Sequence, residues 1–218
     1  MIENDVVVTT KYGRQPSFAV CPDEPGQFPA IILYMDAPGI REELRDQARR
    51  IAKHGYFCLL PDLYYRLGTL RFDIPRRDEG MSVVIRGAMK SLTNVAVTDD
   101  TAGMLAFLDA QEKVKPGPVG CVGHCMSGPF ATTAAARFPR MKVAASLYGV
   151  EMVEKRQVIG GVCRPVVFRA DRRTRLPGIA DVQSDQLKLR RQLDDWVQPV
   201  LSHAGPRRIG APPLDARA

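Results

Sequence analysis

The 218-residue chain is 45% hydrophobic and 25% charged, enough apolar material for one domain with a single sizeable core. No apolar run is long enough to span a bilayer, and the opening Met1-Ile2-Glu3-Asn4-Asp5 lacks the basic and apolar regions of a secretory signal. The formal charge of +7 is concentrated late: residues 1–153 hold 18 Lys+Arg against 17 Asp+Glu, and residues 154–218 hold 13 against 7. The late arginines are scattered, with only Phe168 and Trp196 as aromatics among them, so they read as solvated surface, and neither nucleic acid nor a membrane is expected as a partner. Five cysteines, an odd number with no CxxC pair, fit a reducing cytoplasm better than a disulfide framework. Three histidines without an HExxH pattern give no expectation of a metal, and no cofactor is expected.

In chain order, Val6–Thr10 and Pro16–Val20 predict a hairpin around Tyr12-Gly13. Pro29–Tyr34 reads as a buried parallel strand, followed by the loop Met35–Gly39. Ile40, Leu44, Ala48, Ile51 and Ala52 recur at helical spacing, and the helix ends at His54-Gly55, where a glycine suits the position after the cap. Tyr56–Leu60 is the next strand, closed by Pro61-Asp62. Leu63–Gly80 is irregular, with four Arg, two Asp and Pro75, and loops of that length in compact domains are often functional. Met81–Leu92 predicts a helix. Thr98-Asp99-Asp100 reads as a cap with acids in the first turn of a helix over Ala102–Ala110.

After Lys113–Gly117 comes the most informative stretch, Pro118–Pro139. Its first part is short, apolar and β-prone, and predicts a buried strand. The Ala/Thr-rich part after Gly128 predicts a helix ending near Pro139. Between them lies Gly123-His124-Cys125-Met126-Ser127-Gly128. A cysteine at a strand-to-helix turn, with small residues two positions either side, has the layout of a nucleophile elbow. The helix N-terminus would favour a thiolate and could face an oxyanion. Val143–Tyr148 and Pro165–Phe168 predict two further strands. Alternating strands and helices give an α/β three-layer sandwich with a mainly parallel sheet. Leu189, Leu193, Trp196, Val197 and Val200 keep a helical period, with Pro199 at its last turn; Gly205–Ala218 has no pattern and reads as a tail after a domain of 1–204.

A cysteine nucleophile needs a base and an orienting acid. In the α/β-hydrolase plan these follow in the order nucleophile, acid, histidine. His203 is the one histidine after Cys125, and Asp171 follows the strand Val166–Ala170, which makes Cys125, Asp171 and His203 the candidate triad. Asp181 and Asp185 are fallback acids. His124 adjoins the nucleophile, where side chains at a sharp turn diverge, so it reads as structural or pocket rim. His54 reads as a surface cap, and Cys21, Cys58, Cys121 and Cys163 as core.

Four segments together resemble the dienelactone hydrolase family (carboxymethylenebutenolidase-like): Leu33–Glu43, Gly55-Tyr56 with Leu60–Tyr64, Gly123–Gly128, and Ser146–Val150. The likeness covers roughly residues 1–153 and fades over residues 154–204. It implies an α/β-hydrolase fold that opens a lactone or cleaves a carboxylic ester through a Cys-His-Asp triad and an acyl-thioester. It implies an oxyanion hole from the Ala37 and Met126 N–H groups and puts Asp36, His124 and Tyr148 at the pocket. Asp36 falls where the family places an acid close to the resting cysteine; a loop-capping role is the other reading. The partner implied is a small ester or lactone. If it is anionic, Arg76, Arg77 and Arg86 are candidate counter-charges, against solvated basic surface. The alternative is a non-catalytic α/β-hydrolase-like binding protein whose altered C-terminus has lost the acid–base pair. Monomer and homodimer are both left open.

Overall fold

A computed structural model of the chain describes residues 1–147 and the backbone of residues 166–169. The chain divides into two units, Met1–Leu176 and Pro177–Ala218, and every described residue belongs to the first. The expected boundary at 204/205 and the helix expected near Leu189–Val200 lie outside the described residues.

The first two strands, β1 (Ile2–Thr10) and β2 (Gly13–Cys21), form an antiparallel hairpin that closes on the pair Thr10↔Gly13. Gly13 takes φ 134, which a side chain would resist, and Thr10 Oγ1 donates to the Gly13 carbonyl. The hairpin is longer than expected at its open end. Glu3, Asn4 and Asp5 in that extension are polar and exposed because β1 is an edge strand, and a water-facing edge needs no apolar alternation.

Next come β3 (Phe28–Tyr34), α1 (Glu42–Lys53) and β4 (Phe57–Pro61). Helix α1 keeps its expected apolar stripe, burying Leu44, Ala48 and Ala52, and Gly55 reverses the chain at φ 85. Two short 3-10 turns, Tyr65–Leu67 and Ile74–Arg76, interrupt the irregular stretch. Helix α2 (Glu79–Lys90) starts earlier than expected because Asp78 caps it, accepting from the Met81 N–H at 2.7 Å.

Helix α3 (Asn94–Asp109) corrects the sequence reading more substantially. Its cap is Thr93, whose Oγ1 accepts from the Ala96 N–H at 3.1 Å. Asp99 and Asp100 therefore sit inside the helix, beyond its first turn. Asp99 takes Tyr12 and Lys11 from the hairpin. Asp100 is fully buried and takes Arg66 at 2.6 Å and the Tyr65 hydroxyl at 2.8 Å. This pair ties the loop after β4 to α3.

Strand β5 (Val114–His124) begins four residues earlier than expected and leads through a 3-10 turn, Cys125–Ser127, into α4 (Gly128–Arg137). Strands β6 (Met141–Leu147) and β7 (Val166–Arg169) complete a seven-stranded sheet of order β1-β2-β4-β3-β5-β6-β7. Strands β3 to β7 are mutually parallel, and the hairpin joins antiparallel through β2. Ile32, Leu33, Tyr34, Leu59 and Leu60 in the central strands are completely buried, worth about 2 kcal/mol each for the aliphatic ones.

The strand order fixes where the loops part. The connection through α1 runs from β3 outward to β4. The connection through α2 and α3 crosses back past β3 to β5, and α4 continues outward to β6. Right-handed crossovers put α1 on one face and α3 and α4 on the other. Helices α3 and α4 do pack against each other, while α1 packs on β2 and β4. The loops leaving β3 and β5 thus diverge from adjacent strand ends, the place where α/β sheets open a crevice.

Candidate functional site

The register pairs Tyr34, the last residue of β3, with Gly123 near the end of β5. The loop 35–41 and the turn 124–127 therefore start side by side. Cys125 leaves the strand at φ 51, the one non-glycine residue with positive φ among those described. A side chain in that region costs on the order of 1–2 kcal/mol and persists because its surroundings enforce it. Two contacts do so. A Cβ on Gly123 would collide with the Ser127 carbonyl, so the turn closes this tightly only over a glycine. Ser127 Oγ accepts from the His124 N–H at 2.8 Å and lies 3.2 Å from the Tyr34 carbonyl, to which it can donate, lacing the turn to β3. Cys125 is half-buried, whereas Cys21, Cys58 and Cys121 are buried. Burial pushes the Cys58 and Cys121 thiols above their ordinary range, so they stay protonated.

The partner loop is held as firmly. The Gly39 N–H donates to the Asp36 carbonyl at 3.0 Å, and Gly39 takes φ 80. Arg41 grips Asp36 bidentately at 2.5 and 2.8 Å and also donates to the Gly39 carbonyl. The Asp36 carboxylate is thus satisfied within its own loop, while its charge still reaches His124. His124 has its imidazole pushed below the ordinary range by burial, opposed by Asp36 and helped by Arg41. A neutral imidazole there is a polar neighbour of the site.

Sequence reasoning did not single out Tyr64. Its hydroxyl donates to the Ala37 carbonyl at 2.8 Å and lies 3.5 Å from Met126 Sδ. It touches both residues expected to supply the oxyanion hole. Burial, then the charges of Asp36, Asp62 and Cys125, push its phenol above the ordinary range. The only sequence signal was its place in Pro61-Asp62-Leu63-Tyr64, after a buried strand.

The structure thus brings Asp36, Ala37, His124, Cys125 and Met126 to one end of β3 and β5. Asp171, His203, Tyr148, Cys163 and the fallback acids Asp181 and Asp185 lie outside the described residues. Arg76, Arg77 and Arg86 are exposed and engaged locally, with Asp73, Ser82 and Glu79 respectively. A concavity of about 220 Å³ opens elsewhere, among Val6, Phe18, Ile40, Arg45, Asp62 and Arg71, and includes none of the expected catalytic residues. Among the described residues no His/Cys/Asp/Glu cluster could hold a metal, and no helix is long and apolar enough to cross a membrane.

A mainly parallel sheet with an antiparallel leading hairpin, carrying a strained residue on a strand-to-helix turn at its carboxyl edge, defines an α/β-hydrolase fold. The chain belongs to the dienelactone hydrolase family, whose model matches residues 16–174. It is 28% identical over 149 residues to the "Putative carboxymethylenebutenolidase" of Methylorubrum extorquens, covering 68% of this chain and 50% of that protein. A Synechocystis protein of the same name is 30% identical over 124 residues, 57% of this chain and 49% of that one. The chain spans about half the length of these curated relatives. The crystal structure of a "Putative Dienelactone Hydrolase" from Klebsiella pneumoniae superposes with a TM-score of 0.61 at 22% identity, over 72% of this chain and 63% of that one, a likeness of fold.

Proposed function

We propose that the chain hydrolyses a small carboxylic ester or lactone, with Cys125 as nucleophile and Asp171 and His203 completing the triad. The observation that carries this reading is Cys125 at φ 51 on the strand-to-helix turn, beside the loop that carries Ala37, in a member of the dienelactone hydrolase family. His203 draws the proton from the Cys125 thiol while Asp171 holds the imidazole. The thiolate adds to the carbonyl carbon, and the N–H groups of Ala37 and Met126 stabilise the oxyanion. Collapse of the tetrahedral intermediate breaks the ester C–O bond. His203 returns its proton to the departing oxygen, leaving an acyl-thioester; in a lactone that oxygen stays tethered. Water, deprotonated by His203, then adds to the thioester and expels the thiolate.

A thiolate is itself a good leaving group, so the first intermediate partitions forward only when the departing oxygen is comparably stable. Enol and electron-poor esters meet that condition. The described cysteines are unpaired, which suits a reducing compartment such as the cytoplasm.

The test is turnover of p-nitrophenyl acetate or a dienelactone-type ester by the parent chain and by Cys125→Ala, Asp171→Ala and His203→Ala. Loss in all three supports the full triad. Loss confined to Cys125→Ala keeps the nucleophile and removes Asp171 and His203. An inactive parent whose Cys125 still reacts with a thiol reagent refutes the hydrolase and favours the non-catalytic binding reading.

A further inference from the structure

We infer that Tyr64 is a positioning residue that sets the geometry of the oxyanion hole from behind, by tying the loop after β3 to the turn after β5. The inference rests on the reading of Cys125 as nucleophile and of Ala37 and Met126 as oxyanion donors. It assigns to a third loop a task that neither donor performs alone.

The need for such a residue follows from the covalent structure of the loop. The N–H of Ala37 belongs to the peptide whose carbonyl is that of Asp36. That carbonyl accepts from the Gly39 N–H at 3.0 Å, and because a trans peptide is planar, the Ala37 N–H points the opposite way. The next peptide, Ala37–Pro38, has no N–H, since proline supplies none. Its carbonyl is the remaining handle on the loop, and the Tyr64 hydroxyl donates to it at 2.8 Å. With both carbonyls held, the two peptides that flank Ala37 are both pinned. The same hydroxyl lies 3.5 Å from Met126 Sδ, so one group touches both donor residues.

Tyr64 can serve as a reference point because it is itself anchored to the sheet. Its backbone N–H donates to Asp62 Oδ1 at 2.9 Å. The Asp62 N–H donates to the Pro16 carbonyl at 2.9 Å, and Gln15 Nε2 donates to the Asp62 carbonyl at 3.1 Å. The adjacent Leu63 N–H points at Met35 Sδ at 3.4 Å. Tyr64 is 1% exposed, and its ring lies 3.5 Å from where a Cβ of Gly39 would stand. Burial keeps the phenol protonated, so it remains a donor across the working pH range. Ends of β3, β4 and β5 are thus connected through one hydroxyl.

Two reactions of Cys125 separate this role from general stability. Acylation by p-nitrophenyl acetate needs the oxyanion hole; alkylation by iodoacetamide needs the thiolate but no oxyanion donor. In Tyr64→Phe the acylation rate is expected to fall about 10- to 100-fold, the scale of losing alignment rather than a donor outright. KM and the alkylation rate of Cys125, read by peptide mass spectrometry, stay within about twofold. p-Aminophenylalanine in place of Tyr64 keeps a donor in position and is expected to restore at least a third of the lost rate. If Tyr64→Phe is too unstable to assay, that variant alone decides between retained and lost acylation. Acylation at the parental rate in folded Tyr64→Phe, or alkylation falling in step with acylation, overturns the inference. Turnover persisting in Cys125→Ala overturns the nucleophile reading itself, a failure visible without any Tyr64 variant.

Discussion

Replacing Cys125 by glycine should give a more stable protein than replacing it by alanine. Both changes remove the thiol, so its packing and chemistry cancel in the comparison. They differ in the Cβ, which at φ 51 sits in the left-handed region. That conformation costs a side-chain-bearing residue about 1–2 kcal/mol. Glycine escapes this cost but loses more freedom on folding, about 0.5–1 kcal/mol. The balance favours glycine by about 0.5–1 kcal/mol, or about 1–4 °C in Tm for a chain of this size. Ala102→Gly, exposed in the middle of α3, is the control and should lose about 1 kcal/mol. Thermal and denaturant melts of the variants measure both signs. If Cys125→Gly melts below Cys125→Ala, as the control does below its parent, Cys125 carries no strain and the elbow geometry is wrong.

Gly123→Ala drives a Cβ into the Ser127 backbone and should cost about 3 kcal/mol in a urea titration, with loss of activity. Arg66→Met strands the fully buried Asp100 carboxylate, which keeps Tyr65; because Arg66 is itself a quarter exposed, the expected loss is about 2–3 kcal/mol, and it should shrink when Asp100→Asn is added. His124 binds its proton more weakly folded than unfolded, so stability is full above the unfolded value near 6.5 and falls as pH drops through 6.5 toward the lower folded value. His124→Gln should flatten that slope in melts run between pH 7 and pH 5.

The order of elements was legible because each rests on local pattern. The α1 stripe and its closing Gly55 are fixed by residues within four positions of one another. The elbow was legible for the same reason: Gly123, Cys125 and Ser127 constrain each other across one turn. What failed was wherever a side chain answers to a distant partner. Asp99 and Asp100 look like first-turn acids, yet one reaches the hairpin at Tyr12 and the other, itself buried, reaches Arg66 and Tyr65 in the loop after β4. The Glu3-Asn4-Asp5 part of β1 is polar because it lines the edge of the sheet. Arg41 gave no signal as the partner of Asp36, since five residues along a loop-to-helix junction match no regular period. Tyr64 enters the sequence reading only as the end of Leu60–Tyr64, with no role of its own, because its meaning depends on three loops that only the strand order brings together.

Cys125 as a nucleophile that becomes acylated is tested most directly by trapping. The chain would be mixed with p-nitrophenyl acetate, acid-quenched within the first turnover, digested and weighed. An acetyl group on the peptide containing Cys125, absent after longer incubation and absent from Cys125→Ala, is the expected result. Turnover with no acyl group on Cys125 at any time, or the same turnover by Cys125→Ala, would contradict it.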